Sequence, residues 1–188
     1  MLLDSCLPTY EFNEVHSINI DASPDTIMNA VKELPPSEIS PIFRVLFAVR
    51  GLPARFMGDD NLTFRDARPL LDQIFDNGFL VLADTQEEFV FGVIGQPWKL
   101  SGGKSVVVTD PREFLGFDQP DYAKVAANFF IVPNGERGDF KVTTETRIHI
   151  ANSKTRRKFA KYWRVIYPGS AWIRQMWLKA IKRRAEWR

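Results

Sequence analysis

The clearest pattern of apolar and polar positions lies in the last fifty residues, where a two-residue alternation passes into a helical one. From Phe140 to Ile150, the residues Phe140, Val142, Thr144, Thr146, Ile148 and Ile150 share one face of a predicted strand. Lys141, Thr143, Glu145, Arg147 and His149 share the other. From Ser153 to about Trp187 the period becomes helical, with Trp163, Ile166, Ser170, Ile173, Trp177, Ala180 and Ile181 within about 60° of Phe159. Arg157, Lys158, Lys161, Arg164, Lys179, Lys182 and Arg183 fall on the opposite side. This predicts a helix with a dry face that lies on a sheet and a wet, positive one. At about 1.5 Å per residue it would span roughly 50 Å, longer than a globule of this size, and Pro168 with Gly169 predicts a kink near its middle.

Upstream, imperfect alternation predicts a strand from Tyr10 to Ile20, and Ser23-Pro24 marks a helix start. Ile27, Met28, Val31 and Leu34 form that helix's buried face, and Pro35-Pro36 stops it. A second helix is predicted from Ser40 to Arg50, apolar around almost its whole circumference. Leu52 to Asp66 reads as irregular, and Pro69 to Phe75 as a short helix. Strands follow at Phe79 to Ala83, Glu88 to Ile94, Lys104 to Thr109 and Tyr122 to Val132, with turn residues at hairpin-like spacing that favour an antiparallel meander. The expected fold class is α+β: an antiparallel sheet wrapped around a long kinked C-terminal helix, with two short helices after the first strand. One domain over residues 1–188 fits the length.

Composition narrows the function classes. A 45% hydrophobic fraction with fifteen Phe and five Trp allows a large core or a core with an apolar cavity. The longest strongly apolar run, Pro41 to Val49, is broken by Arg44 and falls far short of the roughly 20 residues a membrane span needs. Met1 to Leu7 lacks the pattern of a signal peptide, and the single Cys6, expected at a mobile terminus, excludes an internal disulfide; a cytoplasmic location is expected. Lys154 to Arg188 carries twelve Lys and Arg against one acid, Glu186, while the rest has 13 basic and 22 acidic residues. A solvated helix face balanced by an acidic body explains this asymmetry. Weak contact with an anionic membrane, with Trp172 and Trp187 at the interface, is the functional alternative. No motif for nucleic acid accompanies the charge.

The order of elements brings in a resemblance. The opening Ile18-Asn19-Ile20-Asp21-Ala22-Ser23-Pro24, the strand around Thr143-Thr144-Glu145-Thr146-Arg147 and the segment from Tyr162 to Ser170 resemble the START-like, helix-grip superfamily. That superfamily includes polyketide cyclases, the birch-pollen allergen fold and lipid-transfer domains, and the likeness is to an uncharacterised bacterial branch. It implies a hydrophobic cavity between sheet and helix that takes a small hydrophobic ligand, and no common cofactor.

Candidate chemistry is sparse. His16 and His149 read as strand-surface residues without local partners, no His, Cys or acidic spacing suits a metal, and Ser101-Gly102-Gly103-Lys104 lacks the spacing of a phosphate loop. The candidate cavity lining is Asn128, Phe130, Thr144, Thr146, Tyr162, Trp163, Ile166 and Ile173, with Phe43, Phe47 and Trp98 as rim or lid. Glu145 and Arg147 are expected outside and solvated, the alternative being a bulge that reverses the parity and brings the pair into the cavity to bind a polar substrate group. Two functions remain open: a carrier or sensor of an amphipathic ligand, or a cyclase, dehydratase or hydrolase of an aromatic substrate.

Overall fold

A computed structural model describes residues 1–39, 67–99, 105–135 and 138–187. Among these, the elements in chain order are α1 (Leu2–Cys6), β1 (Phe12–Ile20), α2 (Pro24–Glu33), α3 (Pro36–Ile39), α4 (Leu70–Phe75), β2 (Leu80–Asp84) and β3 (Glu88–Gly95). Then come β4 (Ser105–Val106), α5 (Pro111–Gly116), β5 (Ala123–Pro133), β6 (Phe140–His149) and α6 (Ser153–Glu186). The strands form one antiparallel sheet in the order β1-β6-β5-β3-β2. Strand β4 departs from a simple meander, since it pairs Val106 with Ile94 and Ser105 with Gly95 while β5 takes the other edge of β3. With α6 packed on the sheet, the arrangement is α+β and helix-grip-like.

Local chemistry sets the boundaries. Ser23 Oγ accepts from Thr26 N at 3.3 Å, and Pro24 opens α2 at a position where a missing amide costs nothing. Asn152 caps α6 by accepting from Lys154 N at 2.8 Å and Thr155 N at 3.3 Å. Gly78 turns the chain from α4 into β2 at φ +88°, a conformation that L side chains resist. Helix α6 runs without interruption across Pro168. The helix expected from Ser40 to Arg50, with Phe43 and Phe47, the irregular stretch from Leu52 to Asp66 and the turn at Ser101 to Gly103 lie outside the described residues.

Both faces of the sheet's central strands are covered, which the sequence pattern does not announce. On one face, Phe89, Phe91, Phe129, Ile131 and Val142 pack against α2, α4 and the C-terminal half of α6. Phe129 meets Trp177 edge-on at 5.1 Å and stacks on Phe91 at 6.3 Å. At the other end of the same face, Ala123, Ile148, Ile150 and Phe159 form a smaller cluster with Trp98, Tyr162 and Trp163 around it. The opposite face holds Val90, Ile94 and Ala126 beneath Leu3, Cys6 and Leu7 of the first helical turn and Phe114 of α5. Strand β3 is therefore buried along its whole length. A Cβ at Gly92 would lie 2.8 Å from Leu82 and 2.9 Å from Phe114, so glycine is what admits that ring. Cys6, expected at a mobile terminus, is instead buried in this layer, and burial raises its thiol pKa.

Helix α6 lies along β1 and is anchored at both ends. Near its start Phe159 meets Phe12, with ring centroids 4.9 Å apart; near its end Lys182 Nζ donates to Asn19 O at 2.7 Å and Glu186 accepts from Asp21 N at 2.9 Å. Burial is complete at Phe159 and again at Ile173, Trp177, Leu178, Ala180 and Ile181, but the intervening Tyr162, Trp163, Ile166 and Ser170 are only part buried. The apolar stripe thus bears on the core at two places and stands freer between them. Trp177 is 3% exposed and Trp172 is 49% exposed. Trp177→Ala should cost about 3–5 kcal/mol of unfolding free energy, whereas Trp172→Ala should leave a urea melt almost unchanged. Trp163→Ala should fall between them, because its ring is stacked on Phe159 yet partly open. Equal stability of the Trp177 variant and the wild type would refute this packing.

Candidate functional site

The two apolar clusters beneath α6 are separated by a polar island. Strands β1 and β6 pair Glu14 with Thr146 and His16 with Thr144, so these four side chains share the helix-facing surface with Phe12, Ile18, Val142 and Ile148. His16 Nε2 lies 2.8 Å from Glu14 Oε1. From the helix, Arg174 donates through Nη2 to Thr146 Oγ1 at 2.7 Å and through Nη1 to Thr144 Oγ1 at 3.3 Å. Its guanidinium also lies 5.6 Å from the centre of the Trp177 ring. The island therefore combines a carboxylate, an imidazole, two hydroxyls and a guanidinium in a mostly apolar surface.

The charges in this island are incompletely compensated. Burial lowers the Arg174 pKa, and the nearby negative charge of Glu14 opposes that effect. Arg174 directs its hydrogen bonds to neutral hydroxyls, so attraction to Glu14 acts across space. Glu14 is 3% exposed, and its Oε2 is buried without a hydrogen-bond partner among the described residues; the same holds for Trp177 Nε1. One is an acceptor and the other a donor. Buried polar atoms in such a state are uncommon and costly, about 1–3 kcal/mol each.

A second polar network on the opposite face is, by contrast, satisfied. Asn128 Nδ2 donates to Glu88 Oε1 at 2.7 Å, and Asn128 Oδ1 accepts from Glu145 N at 2.9 Å where the β5–β6 ladder is interrupted. Glu88 also accepts from Leu2 N and from Leu3 N, the latter at 3.1 Å, and so holds the first turn of α1 to the sheet. Arg147 Nε donates to Glu145 Oε1 at 2.7 Å, and its Nη1 reaches Leu7 O at 3.3 Å and Asp4 at 2.8 Å. The guanidinium stacks 4.7 Å from the centre of the Tyr10 ring. Burial works against its charge, but hydrogen bonds to Glu145 and Asp4 prevail and raise its pKa. Glu145 and Arg147 thus do face away from α6, as the alternation indicates. They are not solvated, being 7% and 5% exposed, because α1 covers them.

The residues singled out from sequence divide between these surroundings. Thr144 and Thr146 lie under α6, joined to Arg174. Tyr162 and Trp163 surround Phe159, Trp98 meets Phe159 edge-on at 5.8 Å, and Ile173 is buried in the larger cluster. Ile166 is part buried on the freer stretch of the helix. Asn128 and Phe130 fall on the opposite face, because Phe129 between them points to Trp177; Asn128 there is fully buried and ties Glu88 to the β6 backbone. Glu14, His16 and Arg174 are functional candidates that the sequence reading passes over, with His16 taken for a surface residue. Among the described residues no cluster of His, Cys, Asp and Glu has the grouping to hold a metal ion, and no helix is long and apolar enough to cross a membrane.

No family model matches the chain, and no curated protein matches it in sequence. A crystal structure of TTHA0849 from Thermus thermophilus aligns over 93% of this chain and 97% of that one, with 10% identity and a TM-score of 0.32. Superposition at that level supports no transfer of function, and the fold rests on the strand order and packing given above.

The network on the α1 face makes a prediction about acid. Asp4 has its pKa held below the ordinary 3.8, first by the hydrogen bond from Arg147 and then by the amino terminus. A depressed folded-state value means that the contribution is present above the unfolded value and lost as pH falls through the folded one. Amide exchange of Leu3 to Leu7 should therefore accelerate, relative to its intrinsic rate, as pH drops below 3.8, and Asp4→Asn should flatten that dependence. At neutral pH, Arg147→Met should cost about 3–5 kcal/mol, since it strands the buried Glu145 carboxylate. An Arg147→Met melt matching the wild type would show that the pair is not bearing on stability.

Proposed function

We propose that the protein binds a hydrophobic or amphipathic small molecule between the sheet and α6, as a carrier or sensor. The observation that carries this reading is the middle of α6, where Tyr162, Trp163, Ile166 and Ser170 are part buried between two firmly packed ends and lie near a polar island with unpaired buried atoms. A helix packed solely to hold the fold would bury its stripe throughout. The helix-grip-like arrangement supports a place among START-like, SRPBCC-type domains, including polyketide-cyclase-like and lipid-binding members, and a cytoplasmic setting is the companion expectation. Organic extraction and native mass spectrometry of protein purified from several hosts should reveal a co-purifying ligand of apolar character. Its consistent absence, together with no binding of long-chain alcohols, ketones or carboxylates, would refute the reading.

A second reading, turnover of a polyketide-like or aromatic substrate by a cyclase, dehydratase or hydrolase, is favoured by the Glu14–His16 pair, since a carboxylate held by an imidazole is a competent proton acceptor. Chemical change in an added aromatic polyketide mimic, abolished in Glu14→Gln, would move the reading from carrier to enzyme.

Weak membrane contact through the outer side of α6 belongs to the same carrier reading. There Val165, Tyr167 and Trp172 are exposed beside Lys161, Arg164 and Lys179, although Lys182 and Arg183 are engaged with the body of the protein. Sedimentation with phosphatidylserine vesicles should show salt-sensitive binding, weakened by replacing Lys161 and Arg164 with Glu. Failure to sediment at physiological salt would limit the carrier to soluble exchange.

A further inference from the structure

We infer that the polar island is a head-group site for a neutral ligand bearing a hydroxyl next to a carbonyl at the end of an apolar body. This rests on the reading of the helix–sheet surface as a ligand site and adds the chemistry of the ligand's polar end.

The argument begins with what each group still lacks. Glu14 Oε2 is a buried acceptor with no donor among the described residues, while Glu14 Oε1 is already beside His16 Nε2. It calls for an O–H or N–H from a bound molecule. On the other side, Arg174 spends two N–H groups on Thr144 and Thr146, but a guanidinium carries five N–H donors and no acceptor. Both threonine oxygens accept from Arg174. Trp177 Nε1, one helical turn along from Arg174, is a further buried donor without a partner among the described residues. The Arg174 side therefore offers donors to an oxygen acceptor, and the Glu14 side offers an acceptor to a donor.

Few polar ends meet both demands. A hydrocarbon meets neither and would leave the buried atoms unpaired. A simple ketone meets the Arg174 side alone, and a simple alcohol can donate to Glu14 but brings only one oxygen to the several donors around Arg174. A carboxylate suits Arg174 yet brings a second negative charge toward Glu14, whose own charge already acts on Arg174. A hydroxyl adjacent to a carbonyl supplies the donor to Glu14 and the acceptor to Arg174 within one small, uncharged group. The apolar remainder of such a molecule would lie along the part-buried Trp163 and Ile166.

Tryptophan fluorescence titration of the full chain with four probes of matched length tests this: hydroxymethyl octyl ketone, methyl octyl ketone, decanol and decanoate. The hydroxyketone should bind about tenfold or more tightly than either the ketone or the alcohol, the scale expected for one hydrogen bond to a charged group. Glu14→Gln should shrink the advantage conferred by the hydroxyl, and Arg174→Met the advantage conferred by the carbonyl, each measured in variants that melt cooperatively. The wild-type series alone is decisive if a variant fails to fold. Equal binding of all four probes would overturn the head-group assignment and leave the apolar-ligand reading standing. Tightest binding by decanoate would overturn it in favour of an anion site. Binding of none would overturn it together with the reading on which it rests.

Discussion

Covering the central strands of a sheet on both faces leaves them no solvent side on which to place a polar residue. That constraint governs this protein more than any single contact. An antiparallel sheet with one wet face can carry charged residues at every second position without cost, whereas here β3 is buried at every position and β6 at most of them. Each polar side chain on these central strands has had to find a partner inside. On the α1 face the network around Glu88 and Arg147 is closed: Glu88 meets Asn128 and two helix amides, while Arg147 meets Glu145, Asp4, a carbonyl and an aromatic ring; His149 Nδ1, at the end of β6, is the buried atom there without a hydrogen bond among the described residues. These bonds fasten a helix of five residues, too short to be stable by itself, across the middle of the sheet.

On the α6 face the same problem is solved only in part. Arg174 and the two threonines satisfy one another to a degree, but Glu14 Oε2 and Trp177 Nε1 are left over among the described residues. The contrast between the two networks is more informative than either alone, because both occur in one sheet under the same packing constraints. Around Glu88 and Arg147, where burial fastens α1 to the sheet, the hydrogen bonds close. Where they stay open beneath a helix whose middle is only part buried, the arrangement fits a surface completed by something else.

Much of the fold is legible in the sequence because its signals are local and physical. Asn152, Ser23 with Pro24, and Gly78 mark real boundaries, and the alternation in β6 correctly turns Thr144 and Thr146 toward α6. What the alternation cannot say is whether the other face is wet. The five residues of α1 give too short a window for any periodicity, so the burial of Glu145, Arg147 and Cys6 is a tertiary fact without a local signature. Asn128 is similarly ambiguous in sequence, since its strand is apolar on both faces and only Phe129 against Trp177 fixes which one it joins.

The residues of the polar island obey the same rules, and the reason a sequence reading passes over them is specific. In β1 the apolar residues Phe12, Val15, Ile18 and Ile20 do not share one parity, and Val15 is the odd one: it is 51% exposed. Trusting Phe12, Ile18 and Ile20 instead forces Glu14 and His16 inward. In α6, a turn of about 100° per residue puts Arg174 about 60° from Phe159, at the margin of the apolar stripe and not on the basic face with its neighbours in charge. A cation at the edge of a dry face, opposite an edge strand that carries a carboxylate and an imidazole inward, is a pairing that neither element reveals by itself. Only the register of β1 against β6, and the course of α6 along β1, bring the two halves together. The fold thus supplies the chemistry of this surface by juxtaposition. That explains why its residues carry no motif.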